Sequence, residues 1–108
     1  FERVMDAVDL WDGDIRSVKL GQRQILLVRL EGRVMAYEDR CLHRGVALSE
    51  GHWDGRILTC SAHHWQYDLS TGEGVNPKNM RLKSLPVRQE DDGIYVEWEE
   101  GRGTSDGS

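Results

Sequence analysis

Apolar residues along this chain come in short aliphatic and β-branched runs separated by glycine-containing turns. Residues 15–20 read as one strand. Residues 24–30 read as a stronger one, because the run Ile25-Leu26-Leu27-Val28 implies a buried middle. Residues 33–37 follow Glu31-Gly32 at hairpin distance. Residues 56–59 form a short strand leading into Cys60, and residues 65–68 lead away from the same region. Residues 83–90 and 94–98 flank Asp91-Asp92-Gly93 as a terminal hairpin. There Tyr95 and Glu97 alternate with Ile94, Val96 and Trp98, the period of a half-buried strand. The pairs Asp12-Gly13, Glu31-Gly32, Asp54-Gly55 and Asp92-Gly93 supply the positive φ that tight turns need. Gly45, Gly51, Gly72 and Gly74 also read as turn residues. Only residues 6–10 suggest a helical turn, with Asp6 as its cap. Many short strands with regular turns predict an all-β fold, a small antiparallel sandwich or barrel-like base.

Length narrows this further. With 108 residues the chain supports one modest core, and a large catalytic barrel does not fit. Residues 1–100 are expected to form the single domain, and the Gly, Ser and charge of residues 101–108 a disordered tail. Fourteen Lys and Arg against nineteen Asp and Glu give a formal charge of −5. That balance argues against nucleic acid and against an anionic membrane surface as partners. No apolar run approaches the roughly 18 residues of a membrane span, and no signal-peptide pattern opens the chain, so a cytoplasmic location is expected, with a monomer as the default state. The first residue is Phe1, which suggests a processed or trimmed start. Acidic residues gather in Glu2, Asp6, Asp9, Asp12 and Asp14 and again over 90–100, basic ones in Lys78, Arg81, Lys83 and Arg88. These read as solvated faces, with steering of partner proteins as the functional alternative.

Cys41 and Cys60 are the whole thiol inventory, too few for a disulfide framework. What stands beside them is more informative. Cys41-Leu42-His43 is separated by sixteen residues from Cys60-Ser61-Ala62-His63. Each arm offers one thiolate and one imidazole, whereas a common zinc finger groups its cysteines on one arm and its histidines on the other. Mixed arms suit a binuclear iron cluster in which each loop gives one ligand to each iron. A structural zinc site, or buried thiols with incidental histidines, is the alternative reading.

With its surroundings, this motif resembles the Rieske family. The residues that carry the likeness are Cys41-Leu42-His43-Arg44-Gly45, Leu48-Ser49-Glu50-Gly51, Cys60-Ser61-Ala62-His63, Tyr67-Asp68 and Thr71-Gly72. Ala62-His63-His64-Trp65 and the stretch 71–77 look most like the small ferredoxins of toluene and o-xylene monooxygenases. The resemblance implies one 2Fe–2S cluster in a subdomain spanning about 38–68, with Cys41 and Cys60 on the inner iron and His43 and His63 on the outer. It implies a one-electron carrier rather than an enzyme. Electrons would pass from an NADH-dependent flavoprotein reductase to the di-iron hydroxylase of an aromatic monooxygenase. The ferredoxin of an aromatic-ring dioxygenase, a nitrite reductase-like subunit and a zinc-stabilised interaction module are the rival readings. His64, Trp65, Tyr67 and Pro86 are expected around the cluster or on the partner-facing surface, Pro86 through a third loop over 84–86.

Departures from the family pattern matter. Many Rieske proteins have glycine after the second histidine ligand, where this chain has His64. A left-handed backbone would resist that residue. Val46 and Ala62 occupy the positions of the disulfide clasp of cytochrome bc-type members, and Trp65 that of a serine donating to the cluster. Fewer donors imply a potential toward the bottom of the roughly −150 to +300 mV Rieske range. Trp11, Trp53 and Trp98 are expected to pack in or against the core, and His52 to lie on a surface loop.

Overall fold

The computed structural model describes residues 1–40, 47–61, 64–76, 78 and 80–97. Eleven strands run through them: β1 Glu2–Asp6, β2 Ile15–Leu20, β3 Arg23–Leu30, β4 Arg33–Glu38, β5 His52–Trp53, β6 Ile57–Thr59, β7 Gln66–Asp68, β8 Glu73–Asn76, β9 Ser84–Leu85, β10 Val87–Glu90 and β11 Gly93–Val96. They form three antiparallel sheets, ordered β1-β11-β10, β2-β3-β4-β9 and β5-β6-β7-β8. The all-β expectation holds. No helix among the described residues is long and apolar enough to cross a membrane.

The run at the centre of β3 explains the arrangement. Ile25, Leu26, Leu27 and Val28 are all fully buried. Successive strand residues point to opposite faces, so such a run requires cover on both sides. Ile25 and Leu27 pack with Ala7, Leu10, Ala36, Leu85, Ile94 and Val96, against the sheet holding β1, β10 and β11. Leu26 and Val28 pack with Tyr37, Leu48, Leu58, Cys60, Tyr67 and Leu69, against the sheet of β5 to β8. The β3 strand is therefore a wall shared by two cores.

Turns fix the register. Leu30 pairs with Arg33, leaving Glu31-Gly32 as a two-residue loop with φ of 52° and 81°. Positive φ at both positions is the hairpin turn that matches strand twist. The Asp12 carboxylate accepts from the N–H of Gly32 at 2.7 Å and of Glu31 at 3.3 Å. At the terminal hairpin Glu90 pairs with Gly93, so Asp91-Asp92 forms the loop and Gly93 opens the strand, not the turn. Pro86 divides the stretch 83–90 into two strands, because it has no N–H to give a ladder. Its carbonyl accepts from Glu97 N–H at 3.1 Å at the corner between two sheets.

Several expectations are corrected. Asp6 is the last residue of β1 and makes no side-chain cap; its carboxylate pairs with Arg3, and Ala7–Asp9 forms a short 3-10 turn. Trp11 is 71% exposed, not packed in the core. Its indole N–H is held by the Val8 carbonyl at 3.1 Å, a bond local to the turn that requires no burial. Trp53 does pack half-buried against the core. His52 lies in a strand rather than a loop, and Gly74 lies within β8. Gly51 adopts an extended conformation; it is needed for close approach rather than for a turn. Trp98 and the tail over 101–108 lie outside the described residues.

Candidate metal centre

Of the four ligands expected from the sequence, Cys60 lies among the described residues, whereas Cys41, His43 and His63 lie outside them. Cys60 follows β6 directly. It is fully buried in the core cluster with Leu58, Tyr67 and Leu69. The loop after it is closed by its own backbone: Cys60 N–H donates to the Trp65 carbonyl at 2.7 Å. The β6–β7 ladder sets that closure, pairing Leu58 with Tyr67 and Thr59 with Gln66. A thiol at the root of a tight loop, with an apolar core behind it, suits the inner anchor of a cluster better than an exposed redox thiol. The two thiols of the sequence, with the His43 and His63 imidazoles of the same two motifs, are also the donor set of a mixed-ligand 2Fe–2S centre.

The other loop is tied at its two ends by one residue. Asp39 is the one buried charged side chain among the described residues, at 4% exposure. Its carboxylate accepts from Ser17 Oγ at 2.8 Å, Ser49 Oγ at 2.8 Å and Ser49 N–H at 2.9 Å. Its own N–H donates to the Gln24 carbonyl at 3.0 Å. The chain leaves β4 at Asp39 and returns at Ser49, so the segment bearing Cys41 and His43 is closed by this carboxylate. Sequence inspection did not single out Asp39, because an acidic residue after a strand looks like any solvated one. A buried polar cluster became visible only when Ser17 and Ser49 met it.

Gly51 carries the return into β5. A Cβ there would fall 2.1 Å from the Thr59 carbonyl oxygen and 3.3 Å from Cys60 Cα. Only glycine permits the backbone to lie that close to the strand leading into Cys60. Leu48, just before it, is fully buried.

Behind the loops, Tyr37 joins two sheets. Its hydroxyl donates to the Leu69 carbonyl at 2.7 Å. Burial, with the nearby Asp68 carboxylate adding to it, pushes its pKa up to about 12. Gly72, at a φ of 83°, packs on the same ring, where a Cβ would stand 2.9 Å from Cε1. Asp68 accepts from Ser70 Oγ at 2.6 Å, Ser70 N–H at 2.9 Å and Arg56 Nε at 3.1 Å. Burial raises the Asp68 pKa, but the Ser70 and Arg56 hydrogen bonds outweigh it and hold the carboxyl below its ordinary value.

The remaining expected residues are placed as follows. Trp65 is half-buried against the core that contains Cys60, and Tyr67 is fully buried in it. His64 is exposed and left-handed, with φ of 60°, so the backbone does adopt the conformation that resists this residue. Lys83 and Ser84 run beside the exit of β4, with Glu38 N–H donating to the Lys83 carbonyl at 3.0 Å. Pro86 stands one step beyond, at the sheet corner. Arg81 pairs with Glu73 at 2.7 Å and Arg88 with Glu90 at 3.2 Å, so these two members of the basic set are paired locally.

The Rieske [2Fe-2S] domain model matches residues 1–86. The chain belongs to this family, whose domain carries one Rieske-type 2Fe–2S cluster. The ferredoxin component of the alkene monooxygenase system of Xanthobacter autotrophicus is 42% identical over 90 residues, covering 82% of this chain and 73% of that protein. The ferredoxin component of the naphthalene 1,2-dioxygenase/salicylate 5-hydroxylase systems of Ralstonia sp. is 29% identical, covering 84% and 88%. Among solved structures, a chain in the complex of reduced oxygenase and oxidized ferredoxin of carbazole 1,9a-dioxygenase superposes with a TM-score of 0.75. It is 30% identical, with 87% of this chain and 89% of that one covered.

Proposed function

We propose that this protein is a one-electron carrier that supplies a hydrocarbon monooxygenase. Cys41 and Cys60 would hold one iron of the cluster and His43 and His63 the other, and the chemistry supplied there is reversible one-electron exchange. The chain contributes a buried thiol, a loop closed by Cys60 N–H, and the Asp39 clasp on the other loop. It binds and turns over no organic substrate of its own. The donor is an NADH-dependent flavoprotein reductase and the acceptor a di-iron hydroxylase. Both would meet the same histidine-bearing end of a cytoplasmic monomer through small interfaces, under about 1,200 Å².

The carrying observation is the 42% identity to the alkene monooxygenase ferredoxin over most of both chains. A dioxygenase acceptor is the second reading, supported by the likeness to the carbazole 1,9a-dioxygenase complex. Two measurements test the proposal. The first is iron and acid-labile sulfide, with EPR after dithionite reduction, on the purified protein and on Cys60→Ala. The expected result is two irons, two sulfides and a mixed-ligand spectrum, all lost in the variant. Stoichiometric zinc without sulfide would overturn the cluster assignment. The second is product formation when the reduced protein is mixed with a monooxygenase or a dioxygenase terminal component. Turnover with the dioxygenase alone would overturn the choice of acceptor.

A further inference from the structure

Two of the four large hydrophobic side chains exposed among the described residues stand on one turn: Val8 and Trp11, each 71% exposed. The turn that carries them is fixed from several sides. Arg29 Nε donates to the Leu10 carbonyl at 2.7 Å and its Nη2 to the Ala7 carbonyl at 3.2 Å. Arg16 Nη2 donates to the Asp9 carbonyl at 3.0 Å. Trp11 N–H donates to the Asp14 carboxylate at 3.3 Å, and Asp14 N–H donates back to the Trp11 carbonyl at 2.9 Å. The indole N–H is taken by the Val8 carbonyl at 3.1 Å, so the surface the ring leaves to water is apolar. An exposed tryptophan held on a rigid turn loses little freedom when a partner covers it, which is the make-up of a binding hot spot.

The surroundings give the partner's chemistry. Every charged residue over 8–14 is acidic: Asp9, Asp12 and Asp14, all exposed. None of the three forms an ion pair among the described residues. A second copy of the chain would bring the same carboxylates. The stretch 98–108 is also acidic, with Glu99, Glu100 and Asp106 against Arg102. Neither complements this rim, whereas a cationic protein surface does. The turn also lies away from the redox end. Gly13 N–H donates to the Arg29 carbonyl at 2.6 Å, whereas Asp39 N–H donates to the Gln24 carbonyl near the other end of β3. Gln24 and Arg29 are about 17 Å apart along the strand.

We propose that the Val8–Trp11 turn is a second docking surface, remote from the cluster-bearing loops. It takes a protein component of the oxygenase system that presents an apolar pocket for the Trp11 indole, rimmed by Arg or Lys. The inference rests on the carrier reading above. A carrier gripped at this turn keeps its redox end free, so it stays close to the system while that end meets a donor or an acceptor.

The test compares Trp11→Ala and Asp9→Asn with the native holoprotein. The probes are the oxygenase and the reductase components of the Xanthobacter autotrophicus alkene monooxygenase system, each titrated separately by calorimetry. Both variants are expected to keep native iron, sulfide and thermal midpoint, since both side chains are exposed. Trp11→Ala should weaken binding to one of the two components about tenfold. Asp9→Asn should weaken the same complex about twofold to threefold at low ionic strength, and high salt should abolish that difference. The first-order rate of electron transfer within the saturated complex should stay native in both. Unchanged affinity of Trp11→Ala for both components would overturn the docking surface, and Asp9→Asn binding as tightly as native would overturn the cationic rim. A slower transfer rate at saturation would overturn the remote placement. A native dimer in sedimentation that Trp11→Ala dissociates would give the turn to a second copy and overturn the assigned occupant. Failure of the native protein to bind either component would overturn the carrier's partners, and this surface with them.

Discussion

Asp39 and Ser49 are joined twice, the carboxylate accepting both the hydroxyl and the backbone N–H of the serine at 2.8 and 2.9 Å. Nine residues lie between them, and that segment carries two of the four expected iron ligands. Asp39→Ala removes three acceptor contacts, one of them serving a backbone N–H. It is expected to lower unfolding free energy by about 3 kcal/mol and to reduce iron per chain. Chemical denaturation and iron analysis check this together. Asp39→Asn, which keeps the shape and part of the acceptor capacity, should retain more iron than the alanine variant.

Gly51→Ala places a methyl group against the Thr59 carbonyl, inside contact distance. Backbone cannot yield as a flexible side chain can. The substitution is expected to cost about 1–3 kcal/mol and to loosen the pairing of His52 with Thr59. Hydrogen exchange at the amides of β5 and β6 should rise before that of β3.

Tyr37 carries an alkaline dependence. Its folded pKa of about 12 lies above the ordinary tyrosine value of 10.0, so the native state holds the phenolic proton more tightly than the unfolded chain does. The stabilisation is complete below pH 10 and is lost as pH rises toward 12. Tyr37→Phe should flatten that alkaline slope and, by leaving the Leu69 carbonyl without this donor, cost about 1–2 kcal/mol at neutral pH. Urea titrations at pH 8 and 11 distinguish the two effects.

Asp68 behaves oppositely. Its pKa is lowered on folding, so its contribution is present above the ordinary carboxylate range and is lost as pH falls through the depressed folded value. Ser70→Ala removes both the shortest bond to the carboxylate and part of the cause of that shift. The acid-unfolding midpoint should therefore move to higher pH, while stability at pH 8 changes by about 1 kcal/mol.

Much of this was legible in the sequence, and the gaps have physical causes. The strand over 15–20 matches β2, and those over 24–30 and 33–37 match β3 and β4 to within a residue, because their apolar runs and turns agree locally. Strand β1 was missed: Glu2–Asp6 is mostly exposed and becomes a strand only through pairing with β11, at the other end of the chain. Strand β5 has two residues, and β8 is Glu-Gly-Val-Asn, too polar to signal burial. For the site, the spacing of cysteine and histidine named the cluster family outright. Asp39 and Gly51 stayed hidden, since their roles depend on which chain segments approach them. His64 was the informative middle case: the sequence raised the question of a left-handed backbone, and the φ of 60° answered it.

The central strand β3 makes this molecule indivisible. Leu26 and Val28 belong to the core that contains Cys60, while Ile25 and Leu27 belong to the core of the opposite sheet. An excised fragment carrying only β5 to β8 would have no floor, and transplanting the redox end into another scaffold means transplanting β3 with it. The same sharing ties prosthetic-group retention to global melting. Bleaching of the visible chromophore and loss of the β-sheet circular dichroism should follow one curve, with no bleached, still-folded species in between.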